Sequence, residues 1–291
     1  MYHIPFILFS LFLCVNSLPI QERSSGGSLW GVTYTGRNSD GSCQTSSQVF
    51  TTVQKFKRNG IVNIRTYSQE CDQLTHVLNA IDATGGGMTV MAGVWIDGSE
   101  GDNTEISTLS SVIAKSSNAH SAIVGITVGS EVMQRSVMSA SQLASKIKQV
   151  KSACGGFKVG TADTATGYVS ELISASDILV VNIHPFFGGV PAAEGASNLK
   201  LQYNAFASKS QNKEIYIGET GWPSAGQANG RAVPSVSNLE TFVRGMMNVN
   251  LKYYFFESVD SQWKSGGSYG VEPYWGLWAA NGRSKIDSIQ N

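Results

Sequence analysis

The stretch EIYIGETGWPS, residues 214–224, begins as a strand and ends as something else. Ile215, Tyr216 and Ile217 are β-branched or aromatic and apolar in succession, the texture of a strand covered on both faces rather than one with a wet side. The run then meets a carboxylate, Glu219, followed by Gly221, Trp222 and Pro223, which stop a strand. A buried strand that terminates on a charge is aiming that charge at something. What it aims at depends on the sheet around it.

Seven more runs share this texture: 29–34, 61–67, 88–95, 122–129, 157–161, 178–184 and 252–257. Between them the apolar period changes to that of a helix. Val49, Val53 and Phe56 fall on one helical face, as do Leu143, Ile147 and Val150, and these segments end at Gly60 and Gly155. A third, SVSNLETFVRGMMNVN, opens with a serine cap and a glutamate expected in the first turn. Apolar strands alternating with helices imply a parallel sheet covered by helices. Eight such units in about 250 residues is the arithmetic of an α/β fold of the closed (β/α)8 TIM-barrel type. An open doubly wound sheet would want a glycine-rich phosphate loop after its first strand. Here that strand is followed by TGRNSDGSC, which is no such loop.

Residues 4–15 form an uncharged apolar run too short to span a bilayer comfortably. With the small residues after it, the run reads as a secretory signal over 1–17, a flexible leader over 18–28 and a single barrel domain over 29–291. The expected location is therefore outside the cell or in a wall. Secretion permits a disulfide, and Cys43 and Cys71, each following a strand, are the expected pair, leaving Cys154 free. Lys plus Arg equals Asp plus Glu, 21 of each, with no basic run. Nucleic acid and anionic membrane surfaces are thus not expected partners. No metal-ligand spacing of Cys or His occurs, so no cofactor or metal is expected, and a monomer is expected.

In a barrel of this kind the chemistry stands at the C-terminal strand ends. Carboxylates end or follow strands 4, 7 and 8: Glu131, Glu219 and Glu257. Aromatic and polar residues stand at the others, among them Tyr34, Arg65, Tyr67, Trp95, Asp163, Asn182, His184 and Phe186. The loop after strand 8 adds Trp263, Lys264 and Glu272. Ring faces beside carboxylates suit a sugar, which stacks its C–H surface and hydrogen-bonds its hydroxyls. Two carboxyl groups flanking a glycosidic bond are what its cleavage needs. Singly, each has a plainer reading. Glu131 reads equally as a solvated residue opening a helix, His184 as a packed histidine, and Glu257 as the ion-pair partner of Arg65. Lys264 reads as solvated or as neutralising a crowded carboxylate cluster.

The chain resembles glycoside hydrolase family 17, the secreted β-1,3-glucan-active enzymes of fungi and plants, from about Trp30 to Ile289. The resemblance is carried by GVTY (31–34), IRTY (64–67), VGSEV (128–132), VNIHPFF (181–187), GETGWPS (218–224), YYFFES (253–258), QWK (262–264) and EPYWGLW (272–278). It implies a retaining barrel with Glu131 as acid/base after strand 4 and Glu219 as nucleophile after strand 7, their carboxyls about 5–5.5 Å apart. It also implies a cleft lined by Tyr34, Tyr67, Asn182, His184, Phe186, Glu257, Trp263, Lys264 and Glu272. Ser130 stands where the clan often has Asn. With Asp163 it is counted among the substrate-binding residues, and Trp222, Trp263 and Trp275 are candidates to hold an acceptor sugar. The short segment between strands 6 and 7 implies a shorter cleft than that of plant relatives. The activity implied is cleavage and transfer of β-1,3-glucan chains. A plain endo-glucanase and a non-catalytic glucan-binding wall protein are the alternatives.

Overall fold

The computed structural model describes residues 27–291; the expected signal segment, 1–17, and all but the last two residues of the leader lie outside them. Eight parallel strands close into a barrel in chain order. They are β1 (Gly31–Thr33), β2 (Asn63–Arg65), β3 (Thr89–Val94), β4 (Ile123–Ser130), β5 (Val159–Thr164), β6 (Ile178–Asn182), β7 (Glu214–Thr220) and β8 (Tyr253–Phe255). Val32 of β1 pairs with Phe255 of β8, which shuts the barrel. The fold is the one the strand count implies.

Around it run α1 (Ser46–Arg58), α2 (Gln73–Ala83), α3 (Gly101–Lys115), α4 (Ala119–Ala122), α5 (Ala140–Ala153), α6 (Ser170–Ala175), α7 (Ala192–Ala207) and α8 (Val236–Met246). The faces expected from period are the faces buried: Val49, Val53 and Phe56 in α1, and Leu143, Ile147 and Val150 in α5. Both helices start with a capping box, Thr45 with Gln48 and Ser139 with Gln142, which satisfies N–H groups that the first turn leaves unpaired. Ser235 caps α8, but Glu240 falls in its second turn rather than its first. There it pairs with Arg244 four residues on.

Strands β1, β2 and β8 are shorter than their apolar runs, because pairing beyond them continues as single bonds toward the mouth. Tyr34 N donates to Arg65 O at 2.8 Å and Thr66 N to Met91 O at 3.0 Å. Inside, Met91, Ala162, Ile178, Val180, Tyr216 and Tyr254 form one core cluster. Trp30 packs on it, with ring centroids 5.1 Å from Tyr254 and 6.1 Å from Tyr216. With that end filled, polar residues on the inward face concentrate at the C-terminal mouth. Between β6 and α7 there is one short 3-10 turn, Pro185–Gly188, held by Asn229, which donates to Phe186 O and Phe187 O. Among the described residues no helix is long and apolar enough to cross a membrane.

Candidate active site

Glu219, next to last in β7, is 8% exposed and its carboxylate is held from two sides. Its Oε1 accepts from Arg65 Nη1 at 3.0 Å and from Tyr67 OH at 2.9 Å. His184 Nε2 lies 3.4 Å from Oε2. Arg65, fully buried, also donates to Gly218 O at 3.0 Å and to Ser130 Oγ at 3.1 Å. It therefore ties β2 to β4 and β7 beneath the mouth. Gly218 makes this possible: a Cβ there would lie 2.6 Å from Asn182 Oδ1 and 3.0 Å from the guanidinium. Burial by itself would raise the Glu219 carboxyl. The His184 contact, the Arg65 charge and the Tyr67 hydroxyl outweigh it and hold the group at about 2.

Glu131 follows β4 directly, and no helix opens on it; the next one begins at Ala140. Its backbone takes a left-handed φ of 56°, which costs a non-glycine residue roughly 1–2 kcal/mol. The surroundings hold it there. Glu131 N donates to Ala162 O at 2.8 Å, and Asp163 Oδ2 accepts from Met133 N at 2.8 Å. Glu131 Oε1 accepts from Asn182 Nδ2 at 2.9 Å. Burial, and then the nearby charge of Glu219, push the Glu131 carboxyl above its usual range, with the Asn182 amide pulling the other way. Two carboxyls at one mouth are thus driven in opposite directions.

They meet at the waist of a cleft with two lobes, of about 600 and 560 Å³. Glu131, Glu219, Phe256 and Glu272 line both. The first lobe adds Tyr67, Ser130, Trp95, Glu257, Trp263 and Lys264 to its walls; the second adds Asn182, His184, Phe187 and Trp275. Glu257 pairs with Lys264 at 2.9 Å rather than with Arg65, so the lysine is the neutralising cation. Burial raises the carboxyls of Glu257 and Glu272, and Lys264 opposes both shifts. Among the described residues no group of three or more His, Cys, Asp or Glu is placed to hold a metal ion.

The profile of the BtgE/BtgC glycoside hydrolase domain matches residues 31–276, which is most of the chain. The chain belongs to the BtgE/BtgC glycoside hydrolase family. "Probable beta-glucosidase btgE" of Aspergillus fumigatus is 34% identical over 258 residues, 85% of this chain and 45% of that one. "Probable family 17 glucosidase SCW10" of Saccharomyces cerevisiae is 30% identical, over 86% of this chain and 65% of that one. The chain thus spans about half to two thirds of the length of these relatives. Among solved structures, a family 17 β-1,3-glucanosyltransferase of Rhizomucor miehei superimposes with a TM-score of 0.78 at 29% identity, covering 90% of this chain and 98% of that one. An active-site mutant of the Rhizomucor enzyme, in complex with laminaritriose, matches equally well. The resemblance to glycoside hydrolase family 17 is supported at the level of the family.

Within this BtgE/BtgC-type barrel, four expected cleft residues stand elsewhere. Tyr34 is 1% exposed, bonds Gln44 through its hydroxyl and packs edge-on against Phe56; it faces a separate cavity of about 270 Å³. Phe186 and Trp222 are fully buried and pack on each other at 5.6 Å. Trp222 Nε1 donates to Val233 O at 3.0 Å, so it fixes the β7 turn and cannot hold a sugar. The neighbour Phe187, 48% exposed, takes the rim position expected of Phe186. Asp163 is buried and acts on the backbone, accepting from Met133 N and Thr164 N, both at 2.8 Å. Arg65 and Arg135 are not among the expected substrate-binding residues. Arg135 donates to Ser130 O and Ile96 O, both at 3.1 Å, and lies 4.6 Å over the Trp95 ring. A charge inside the apolar run IVNIRTY is the available signal for Arg65. Cys43 and Cys71 are joined in a disulfide and Cys154 is free and buried.

Proposed function

We propose that the chain cleaves and transfers β-1,3-glucan by double displacement with retention. The observation that carries this reading is the pair at the waist of the cleft. Glu131 and Glu219 line both lobes, Glu219 bonded by Arg65 and Tyr67 and Glu131 by Asn182, with the Glu219 carboxyl held low and that of Glu131 raised. Two titratable groups pushed apart by their environments are what an acid and a nucleophile require. Glu219 attacks the anomeric carbon. Its Oε1 is occupied by Arg65 and Tyr67, so Oε2 is the freer atom for attack. The glycosidic C–O bond breaks, its electron pair leaves on the departing oxygen, and Glu131 gives that oxygen its proton. Glu131, now a carboxylate, takes a proton from an acceptor hydroxyl, which attacks the same carbon and releases Glu219.

Whether water or a sugar resolves the intermediate separates a glucanase from a glucanosyltransferase. Transfer is favoured by exposed rings on both rims, Trp263 at 46% and Phe187 at 48%, which would seat sugars on both sides of the reacting bond. The laminaritriose held by the Rhizomucor relative supports β-1,3-glucan as the substrate. The disulfide supports an oxidising compartment outside the cytosol, consistent with removal of residues 1–17 as a signal. A product time course on end-labelled laminarihexaose, at low and high concentration, tests the reading. Products longer than the starting sugar, increasing with concentration, are expected. Shorter products alone would make it an endo-glucanase, and no products would make it a binding protein.

The pH profile tests the assignment of Glu131. This residue must be protonated in the first step, so activity falls as pH rises through its raised pKa. Asn182→Ala removes a hydrogen bond that favours the ionised carboxylate. Its alkaline limb is expected at higher pH than that of the wild type. A limb unmoved, or moved to lower pH, would remove Glu131 from the role of acid.

A further inference from the structure

We infer that the Cys43–Cys71 disulfide and Gly41 form a strut that positions the Trp263 ring as a sugar-stacking surface of the first lobe. The inference rests on the glucan reading above. The loop after β1, residues 35–44, carries part of the wall of that lobe through Thr35 and Arg37, and Glu70, on the segment after β2, lines the same lobe. The disulfide joins the two segments across 28 residues, with Cα atoms 5.2 Å apart. Arg37 completes the frame, donating to Gly41 O at 2.7 Å and pairing with Glu70 at 2.5 Å. A third tie runs to the loop after β8, where Ser39 Oγ donates to Asp260 O at 2.5 Å.

Trp263 stands on that same loop and leans on the frame. Gly41 has φ +90°, and a Cβ there would lie 3.0 Å from both Cβ and Cγ of Trp263. The backbone of Gly41 therefore backs the base of the indole, Lys264 Nζ lies 5.7 Å from the ring centroid, and the residue is 46% exposed. A half-exposed tryptophan on a loop has several rotamers available. Backing by a covalently braced loop leaves it fewer, so less order is lost when a sugar stacks on it. The cystine itself does not line either lobe, which separates its part from direct contact with substrate. It acts as a positioning element.

The disulfide also constrains the unfolded chain, so the test must separate binding from stability. Initial rates on laminarihexaose are measured for the wild type, Gly41→Ala, Trp263→Ala, the double variant Cys43→Ala/Cys71→Ala, and Trp263→Ala combined with Gly41→Ala and with the cysteine pair. Tm is recorded for all. Gly41→Ala and the cysteine double variant are expected to raise KM about fivefold with kcat within about twofold. Neither is expected to raise KM further once Trp263 is gone, because both act through that ring. Unchanged KM in both folded variants overturns the inference, and so do increases that add to that of Trp263→Ala. If the cysteine variant does not fold, Gly41→Ala with and without Trp263 decides the matter in the same way. A wild type that does not turn over laminarihexaose overturns the glucan reading and this inference with it. A wild type that turns it over, with variants unaltered, overturns the strut alone.

Discussion

Glu219→Gln is expected to lower kcat on laminarihexaose by about four orders of magnitude or more, and to lower Tm as well, because the buried Arg65 loses its counter-charge. The substitution preserves shape. A glutamine oxygen can still accept from Arg65 Nη1 and Tyr67 OH, the two donors that hold Oε1. What it removes is the nucleophile, since an amide cannot form the glycosyl-enzyme. Oligosaccharide binding, followed by calorimetry, should persist. A binding barrel would lose nothing in this variant, and an enzyme would lose nearly everything, so one substitution separates the two classes. Turnover within tenfold of wild type would sink the assignment of Glu219.

Arg65→Met is expected to be the most destabilising change at the mouth. Arg65 is fully buried and its guanidinium serves Glu219, Gly218 O and Ser130 Oγ together. Removing one member of a buried, hydrogen-bonded ion pair strands the other charge and costs about 3–5 kcal/mol. The functional effect has a definite sign. Glu219 must be ionised to attack, and its depressed pKa keeps it so down to about 2. With one of its stabilising charges gone, protonation moves to higher pH, and the acid limb of the rate profile moves with it. Stability follows the same linkage. A depressed carboxylate pKa contributes stability above the unfolded value, about 4.3, and that contribution is lost as pH falls toward the folded value. Arg65→Met should reduce this part of the acid sensitivity, since His184 and Tyr67 still hold the carboxylate. The double variant Arg65→Met/Glu219→Gln should recover part of the lost stability, because neither charge is left alone. Denaturant titrations and pH–rate profiles measure both effects. An acid limb that does not move would mean Arg65 only braces the strands.

The contrast between Glu219 and Arg65 marks what the chain discloses by itself. Glu219 is announced locally, because an apolar run cannot end on a carboxylate followed by Trp222 and Pro223 without some use for the charge. Arg65 also interrupts an apolar run, yet the sequence alone offers Glu257 as its partner. Its actual partner lies 154 residues away, and no local pattern carries that distance. Glu257 instead takes Lys264, seven residues on.

The aromatic residues divide the same way. Phe186 and Phe187 are adjacent and chemically identical, and only the turn at Pro185–Gly188 decides which enters the core and which reaches the rim. Tyr34 and Tyr67 each follow their strands, but one bonds Gln44 in the loop after β1 and the other reaches Glu219. Period and strand-end chemistry are properties of a few consecutive residues. They determined the eight β/α units, the closed barrel, and the placing of Glu131 and Glu219 at its mouth. Which ring faces a sugar, which cation meets which carboxylate, and in which direction each carboxyl titrates were decided only by tertiary structure. Those outcomes depend on burial and on charges brought within a few ångströms from distant parts of the chain, and closing the barrel is what brings them there.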